Sequence, residues 1–365
     1  MRRTLRWLLL ATHVPASGSG GGMVRYCVEL ARALHDRPDV ELHVVCTPEA
    51  QAFFTDLLGR DRVHLLPAMP VVLRSLVERG GPRLLPVLRQ QWDVVQGAKH
   101  LVPRRAGTAI RLLTVHDMNP LDRPADFSAL KRVGLRRPYL ASVADADVMV
   151  CVSAATRARL HAWAPDADGR AAVVHLAASP SLLAAHPVAV PELEGRSYVL
   201  VVGDSSPRKN LALAFRAWSG VAARHPAAVL AVVGPPSWGP SQLGAAAPLV
   251  ASGQVELLGY RSDGELSWLY QHAAALVCPS QLEGFGLPVV EGEALGVPVL
   301  ISDDAAMGEV GAGAAVPLSP HALDQWQDAL SAALEGRLPG TSPAPVRRAW
   351  SDVAAETVEA VRGAG

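Results

Sequence analysis

Short apolar runs without polar alternation recur along the chain, each followed by turn residues and a helix-length segment. In the first half they occupy 6–11, 41–46, 63–66, 93–96, 111–115, 148–152 and 173–176. In the second half they occupy 198–202, 228–233, 255–258, 274–278 and 297–301. Unalternating Val/Leu runs of this length are the mark of parallel strands buried on both faces, with the intervening helices as crossovers. The pattern predicts two open α/β sheets of Rossmann type. Segment 178–197, ASPSLLAAHPVAVPELEGRS, lacks a sustained period and is rich in Pro, Ala and Ser, which places the boundary there.

Length agrees, since 365 residues exceed one ordinary core and suit two domains of about 150–200 residues each. No run of 18 apolar residues occurs, so no membrane span is expected. The basic, apolar start MRRTLRWLLLATHVP is interrupted by His13 and Pro15, and reads as a first strand entering a loop rather than a leader. The four cysteines are scattered without metal or disulfide spacing, which fits a reducing cytosol.

In open α/β sheets, ligands sit outside the carboxyl ends of the strands. Four strand-end loops carry chemistry. After the first strand, Gly18-Ser-Gly-Gly-Gly22 lets backbone amides approach a ligand at the start of a helix. It lacks the dinucleotide spacing of a nicotinamide fingerprint, and no acidic residue follows at the ribose position. His116 and Asp117 end the fifth strand. After VLVVG in the second half, Arg208-Lys209-Asn210 leads into a helix, where two cations oppose the helix dipole unless an anion docks beside them. The fourth loop is SQLEGFGLPVVEGEALG at 280–296. Glu283 falls in the loop, Pro288 suits a first helical turn, and Glu291 lies one turn in, roughly 6 Å along the axis. A carboxylate on each side of exposed amides fits an elongated ligand with hydroxyls at both ends and an anion between, as in a nucleoside diphosphate sugar.

With EGFGLPVVE at 283–291, the early glycine loop running into RYCVELARAL, VHD at 115–117, ADVMVCVS at 146–153, PRKNL at 207–211 and RRAWSDVAAETVEAV at 347–361, the chain resembles the family 4 glycosyltransferases, or glycosyl transferases group 1. The resemblance extends over nearly the whole chain. It implies a GT-B fold: two Rossmann-like domains with a ligand cleft between them, and a C-terminal helix crossing back. The implied boundaries are 1–185 for an acceptor domain, 186–345 for a nucleotide-sugar domain and 346–365 for the returning helix. It further implies a retaining enzyme that moves a hexose from a UDP- or GDP-sugar to a hydroxyl of a glycan, lipid-linked or small-molecule acceptor.

Carried over by position, Glu283 would hold donor-sugar hydroxyls and Glu291 the ribose. Gly203 and the amides around Phe285, Gly286 and Leu287 would meet the sugar and diphosphate. Arg208 and Lys209 would neutralise the diphosphate, and His116 would face the donor sugar across the cleft. Gly20, Gly21 and Gly22 would lie near the phosphates and acceptor. Some members carry an arginine directly after the glycine of the second-domain strand; here that residue is Asp204.

No cofactor and no metal are expected, because two lysine or arginine cations replace a divalent ion. Asp145-Ala-Asp147 reads as a helix-to-strand turn rather than a metal motif. Replacing Glu283 or Lys209 by alanine is expected to abolish most transfer and leave the fold intact. A nicotinamide oxidoreductase or epimerase, a non-catalytic sugar-nucleotide-binding paralogue, and an inverting enzyme with His13 as base are the competing readings. The chain is neutral overall, but residues 1–190 hold 24 basic and 16 acidic residues and residues 191–365 hold 10 and 18. Segments 71–91 and 131–137 mix arginines with Val, Leu and Pro, which suits peripheral contact with an anionic membrane from the cytoplasmic side, or equally solvated helix faces. Nothing points to nucleic acid.

Overall fold

The computed structural model describes residues 3–235, 244, 246–311, 314–338 and 348–364. The chain divides into two compact units, Met1–Leu176 with Ala349–Gly365 and Ala177–Arg348. Among the described residues of the first unit, seven parallel strands run in the order β3-β2-β1-β4-β5-β6-β7. They are β1 Leu5–Leu10, β2 Val40–Cys46, β3 Val63–Leu65, β4 Val94–Gly97, β5 Ile110–Val115, β6 Val148–Cys151 and β7 Ala171–Val173. The second unit has six, in the order β10-β9-β8-β11-β12-β13. These are β8 Tyr198–Val202, β9 Val229–Val233, β10 Val255–Gly259, β11 Ala275–Cys278, β12 Val299–Ser302 and β13 Ala315–Leu318.

The absence of alternation has its expected cause. In β8, Val199 and Val201 pack into one apolar cluster with Trp218 and Trp326. Tyr198 and Leu200 of the same strand pack into another with Leu269 and Tyr270. Both faces are therefore covered, and no polar face is needed. All four cysteines are buried and unpaired.

Two strands depart from the apolar pattern. The seventh is Ala171–Val173 and not 173–176, because its partner β6 ends at Cys151 and the Ser153 side chain then caps the next helix. One further bond, Val174 N–H to Cys151 O at 2.9 Å, closes the ladder. The apolar residues beyond are buried but unpaired as a strand. Strand β13 has no counterpart in the pattern. It is four residues long, contains Pro317 and pairs only with β12, and an edge strand is where a proline is tolerated.

The middle of the first sheet holds a closed polar network. Trp7 Nε1 donates to Gln96 Oε1 at 3.0 Å, Gln96 Nε2 donates to Thr114 Oγ1 at 3.0 Å, and Tyr26 hydroxyl lies 3.0 Å from the same oxygen. Burial without partners would be costly, and here each group has one. The Tyr26 ring lies 5.9 Å from Trp350, the first residue of the helix Trp350–Arg362, whose Val353, Val358 and Val361 are buried. Arg347 lies outside the described residues.

Candidate active site

Strand β11 ends at Cys278 and the chain crosses a loop to Gly286 before the helix Leu287–Leu295. Gly286 has φ +100°, a conformation side chains resist, and it turns the loop onto the helix axis. Pro288 lies in the first turn and Gly296, in the left-handed region, ends the helix. This loop is tied to the one after β8 by a bond from Gln281 N–H to Arg208 O at 2.7 Å. Arg208 and Lys209 belong to a short 3-10 turn, Pro207–Lys209. Asn210, at φ 51°, is the only non-glycine with positive φ among the described residues, and separates that turn from the helix Leu211–Ala222.

The consequence is a three-membered charge cluster. Arg208 Nη1 donates to Glu283 Oε2 at 2.8 Å, and Lys209 Nζ to Glu283 Oε1 at 2.7 Å. The carboxylate is 8% exposed and the two cations 18% and 15%. Burial alone would push the Glu283 carboxyl up, but Lys209 and Arg208 pull it down to about 2. Asp204 approaches Arg208 at 4.0 Å and accepts from Ser206 N–H at 2.8 Å. The anion that the cations of the second unit meet is therefore first of all Glu283 itself. Alanine at 283 would leave two nearly buried cations without their partner, so an intact fold is not the expected outcome for that variant. A small cavity of about 10 Å³, room for about one water, is lined by Gly203, Lys209, Cys278, Glu283 and Gly286. Burial pushes the Cys278 thiol up to about 12, so it is no thiolate nucleophile near neutral pH.

Glu291 is 1% exposed and accepts a hydrogen bond from the Tyr270 hydroxyl at 3.1 Å. Tyr270 stands on the helix Asp263–His272, and its role beside Glu291 had no signal in the sequence beyond an apolar helix face. Phe285 and Leu287 are buried on either side of Gly286.

The remaining expected residues belong to the first unit. Gly21 precedes the helix Gly22–His35, and Gly20 lies in the turn before it. His116 is buried, donates from Nε2 to Ala98 O at 2.9 Å and meets the Tyr26 ring edge-on at 4.7 Å. Burial lowers its basicity. His13 lies 3.3 Å from Met23 O and is held neutral, its pKa pushed down to about 3 by burial and then by Lys99. Asp145 pairs with Arg79 at 2.7 Å and Asp147 with Arg111 at 2.8 Å, each a structural clamp between segments. Of the arginines in segment 71–91, Arg74 donates to Thr12 O at 2.9 Å and Arg79 to Val102 O at 2.9 Å, so both turn inward. Arg83 and Arg89 are exposed, as are Arg132, Arg136 and Arg137. The side chain of Lys131 lies outside the described residues. A larger cavity, of about 100 Å³, includes Arg74, Glu78 and Lys99, none of which the sequence singles out as a set.

Residues 20–182 match the family described as Glycosyltransferase Family 4, and residues 186–344 match Glycosyl transferases group 1. The O-antigen chain mannosyltransferase B of Escherichia coli is 26% identical over 336 residues, which cover 83% of this chain and 84% of that protein. The O-antigen chain mannosyltransferase RfbU of Salmonella typhimurium is 25% identical over 334 residues, 86% of this chain and 87% of that one. Among solved structures, Anabaena HepE in complex with UDP-glucose superposes with a TM-score of 0.65 at 16% identity, over 99% of this chain and 97% of the other. Such a superposition carries the two-unit GT-B fold.

Proposed function

Since the chain belongs to the group 1 glycosyltransferases with a Family 4 N-terminal half, we propose that it is a retaining hexosyltransferase that uses a UDP- or GDP-sugar. The observation that carries this reading is the Glu283 carboxylate held ionised between Arg208 and Lys209 at the strand ends of the second unit. A carboxylate fixed in that state accepts hydroxyl donors from a hexose. Its two cations retain charge toward a diphosphate: Glu283 takes one of the three N–H groups of Lys209. As the diphosphate departs, negative charge grows on it, and preorganised donors stabilise that charge more than they stabilise the bound donor. The amides at the start of the helix Leu287–Leu295 add to the same field. Glu291, fixed by Tyr270, is assigned to the ribose.

The acceptor hydroxyl enters on the face the diphosphate leaves and gives its proton to that phosphate. No enzymic base is needed. His13, the base an inverting enzyme would use, has a pKa near 3 and is a weak proton acceptor, which favours retention. With Arg208 and Lys209 supplying the positive charge, the reaction is assigned as metal-independent. The two mannosyltransferase relatives support a role in polysaccharide assembly.

Peripheral contact with an anionic membrane also belongs to this reading. Leu73 and Leu76 on the helix Val71–Arg79 are 49% and 59% exposed, and that helix packs on the helix Ala129–Asp145, which bears Arg132, Arg136 and Arg137. Exposed leucines among arginines suit a bilayer surface. Among the described residues no helix is long and apolar enough to cross a membrane. Co-sedimentation with anionic vesicles, lost at high salt, is expected; equal and negligible binding to anionic and neutral vesicles removes the contact.

The experiment that tests the function is a panel of nucleotide sugars, GDP-mannose and UDP-hexoses, assayed for hexose release and transfer. Turnover with at least one donor, reduced about 100-fold or more in Glu283→Gln, is the expected result. A non-catalytic paralogue would show nucleotide binding without turnover on any donor. An anomerically inverted product would sink the retaining assignment.

A further inference from the structure

The cavity of about 100 Å³ in the first unit opens at the carboxyl ends of β1 and β4. In the strand order β3-β2-β1-β4-β5 these two neighbours mark the point where the sheet reverses its winding, the place where open α/β sheets leave a crevice. The strand-end segment after β4 folds back to build one wall. At Gly97 a Cβ would fall 1.9 Å from Leu101 O, so the turn closes only because the residue there is glycine. Helix Val71–Arg79 supplies Arg74 and Glu78, and Leu135 and Pro138 complete the apolar side.

The charges in this cavity do not cancel. Arg74, Lys99 and Glu78 line it, two cations to one carboxylate. The carboxylate is already engaged, since the Thr12 hydroxyl donates to Glu78 Oε1, and Arg74 donates to Thr12 O. The Lys99 ammonium makes no hydrogen bond and no ion pair within 4 Å among the described residues. Burial first, and then Arg74, push the Lys99 ammonium below its ordinary value. His100, in the same wall, has a buried Nδ1 with no hydrogen-bond partner. An unmatched positive charge in a partly closed cavity is unfavourable until an anion enters. A carboxylate brings two oxygens; a phosphate brings a third, and Arg74, Lys99 and His100 are three donors.

We propose that this cavity binds a phosphate group carried by the acceptor, held by Arg74 and Lys99. The proposal rests on the glycosyl-transfer reading for the word acceptor, while the phosphate site itself can be tested without turnover. The phosphate can come from a soluble sugar phosphate or from a lipid carrier, and the chemistry at Arg74 and Lys99 is the same.

The probes are inorganic phosphate, octyl phosphate and octanoate, titrated calorimetrically into the full-length protein saturated with UDP or GDP to occupy the nucleotide site. Octyl phosphate is expected to bind at least tenfold more tightly than octanoate. Lys99→Gln is expected to weaken it at least tenfold with an unchanged melting temperature, Arg74→Gln to weaken it at least tenfold, and Lys99→Arg to restore most of the affinity. A tenfold preference for octyl over inorganic phosphate identifies a lipid-carried group; equal affinities identify a soluble ester. Unchanged binding in both glutamine variants, or octanoate binding as well as octyl phosphate, overturns the site. If octyl phosphate binds as described but no nucleotide sugar supports transfer, the glycosyl-transfer reading fails and the phosphate site stands. If transfer is observed and octyl phosphate does not bind, the site fails alone.

Discussion

In the second unit Glu283 is clamped by Arg208 at 2.8 Å and Lys209 at 2.7 Å. In the first unit Arg74 and Lys99 share a cavity with Glu78, yet neither forms an ion pair with it among the described residues. The two clusters have the same composition, two cations and one carboxylate, and both sit at strand ends beside a reversal of sheet winding. Their difference is in how far the protein satisfies its own charge. A clamped carboxylate cannot titrate or swing near neutral pH, so its donors and acceptors are aimed before any ligand arrives. An unclamped cluster leaves charge for a ligand to satisfy, which makes it a better place for affinity than for fixed geometry.

The contrast breaks most directly at the carboxylates. Glu283→Ala should destabilise the second unit by about 3–5 kcal/mol, because Lys209 loses its carboxylate in a place with little solvent and Arg208 keeps Asp204 only at 4.0 Å. Glu78→Ala should change stability by less than about 1 kcal/mol. Chemical denaturation of the two variants measures both, and similar losses would dissolve the distinction.

Acid should separate the units next. The His13 and His100 pKa values are pushed down by burial to about 3 and about 4, against an ordinary 6.5. Unfolded chains therefore take up protons at these two positions from pH 6.5 downward while the folded chain leaves both neutral, and their contribution to the first unit's stability falls across that window. Glu283 works in the other direction of linkage. Its depressed value of about 2, against 4.5, contributes about 3 kcal/mol that is fully present above pH 4.5 and is lost only between there and pH 2. Hydrogen exchange at pH 7, 5.5 and 4.5 should show the first unit loosening first. Loosening of the second unit first would contradict the assigned charge states.

A smaller effect sharpens the picture inside the second unit. Tyr270→Phe removes the 3.1 Å bond to Glu291 and should raise KM for the donor several-fold, about 1 kcal/mol, with kcat nearly unchanged. A fall in kcat of the same size would move Glu291 from holding the ribose to assisting transfer. The smallest expected effect is none: a chelator should leave the rate within about twofold, and restoration of a lost rate by manganese or magnesium would show that arginine and lysine do not suffice.

The sheet strands and the Glu283–Glu291 loop were legible in the sequence because both depend on local pattern, an apolar run or a glycine turn before a helix. What those residues touch was less legible. For Arg208 and Lys209 the sequence points only to an external anion, since their helix-end position explains no more than that some negative charge is near. Glu283, about 75 positions on, supplies it, and no local rule joins two strand-end loops. The cluster of Arg74, Glu78 and Lys99 was hidden for a related reason. It is assembled from a helix and a strand end, and Arg74 sits in a stretch whose mix of arginine and leucine reads equally as surface. Long arginine side chains turn inward or outward with the same sequence pattern. Strand β13 escaped because four residues with a proline carry no period.

The helix Trp350–Arg362 belongs to the first unit although residues 177–348 are joined before it. During synthesis the second unit is therefore complete, and free to fold, while Tyr26 still lacks Trp350. At about 5–20 residues per second, the interval is about ten to thirty seconds in which an apolar patch of the earlier-made unit stays open on the ribosome. The order of completion runs opposite to the order of translation. A released chain that ends near residue 348 should resist protease over its second unit and be cut, or be held by a chaperone, at its first.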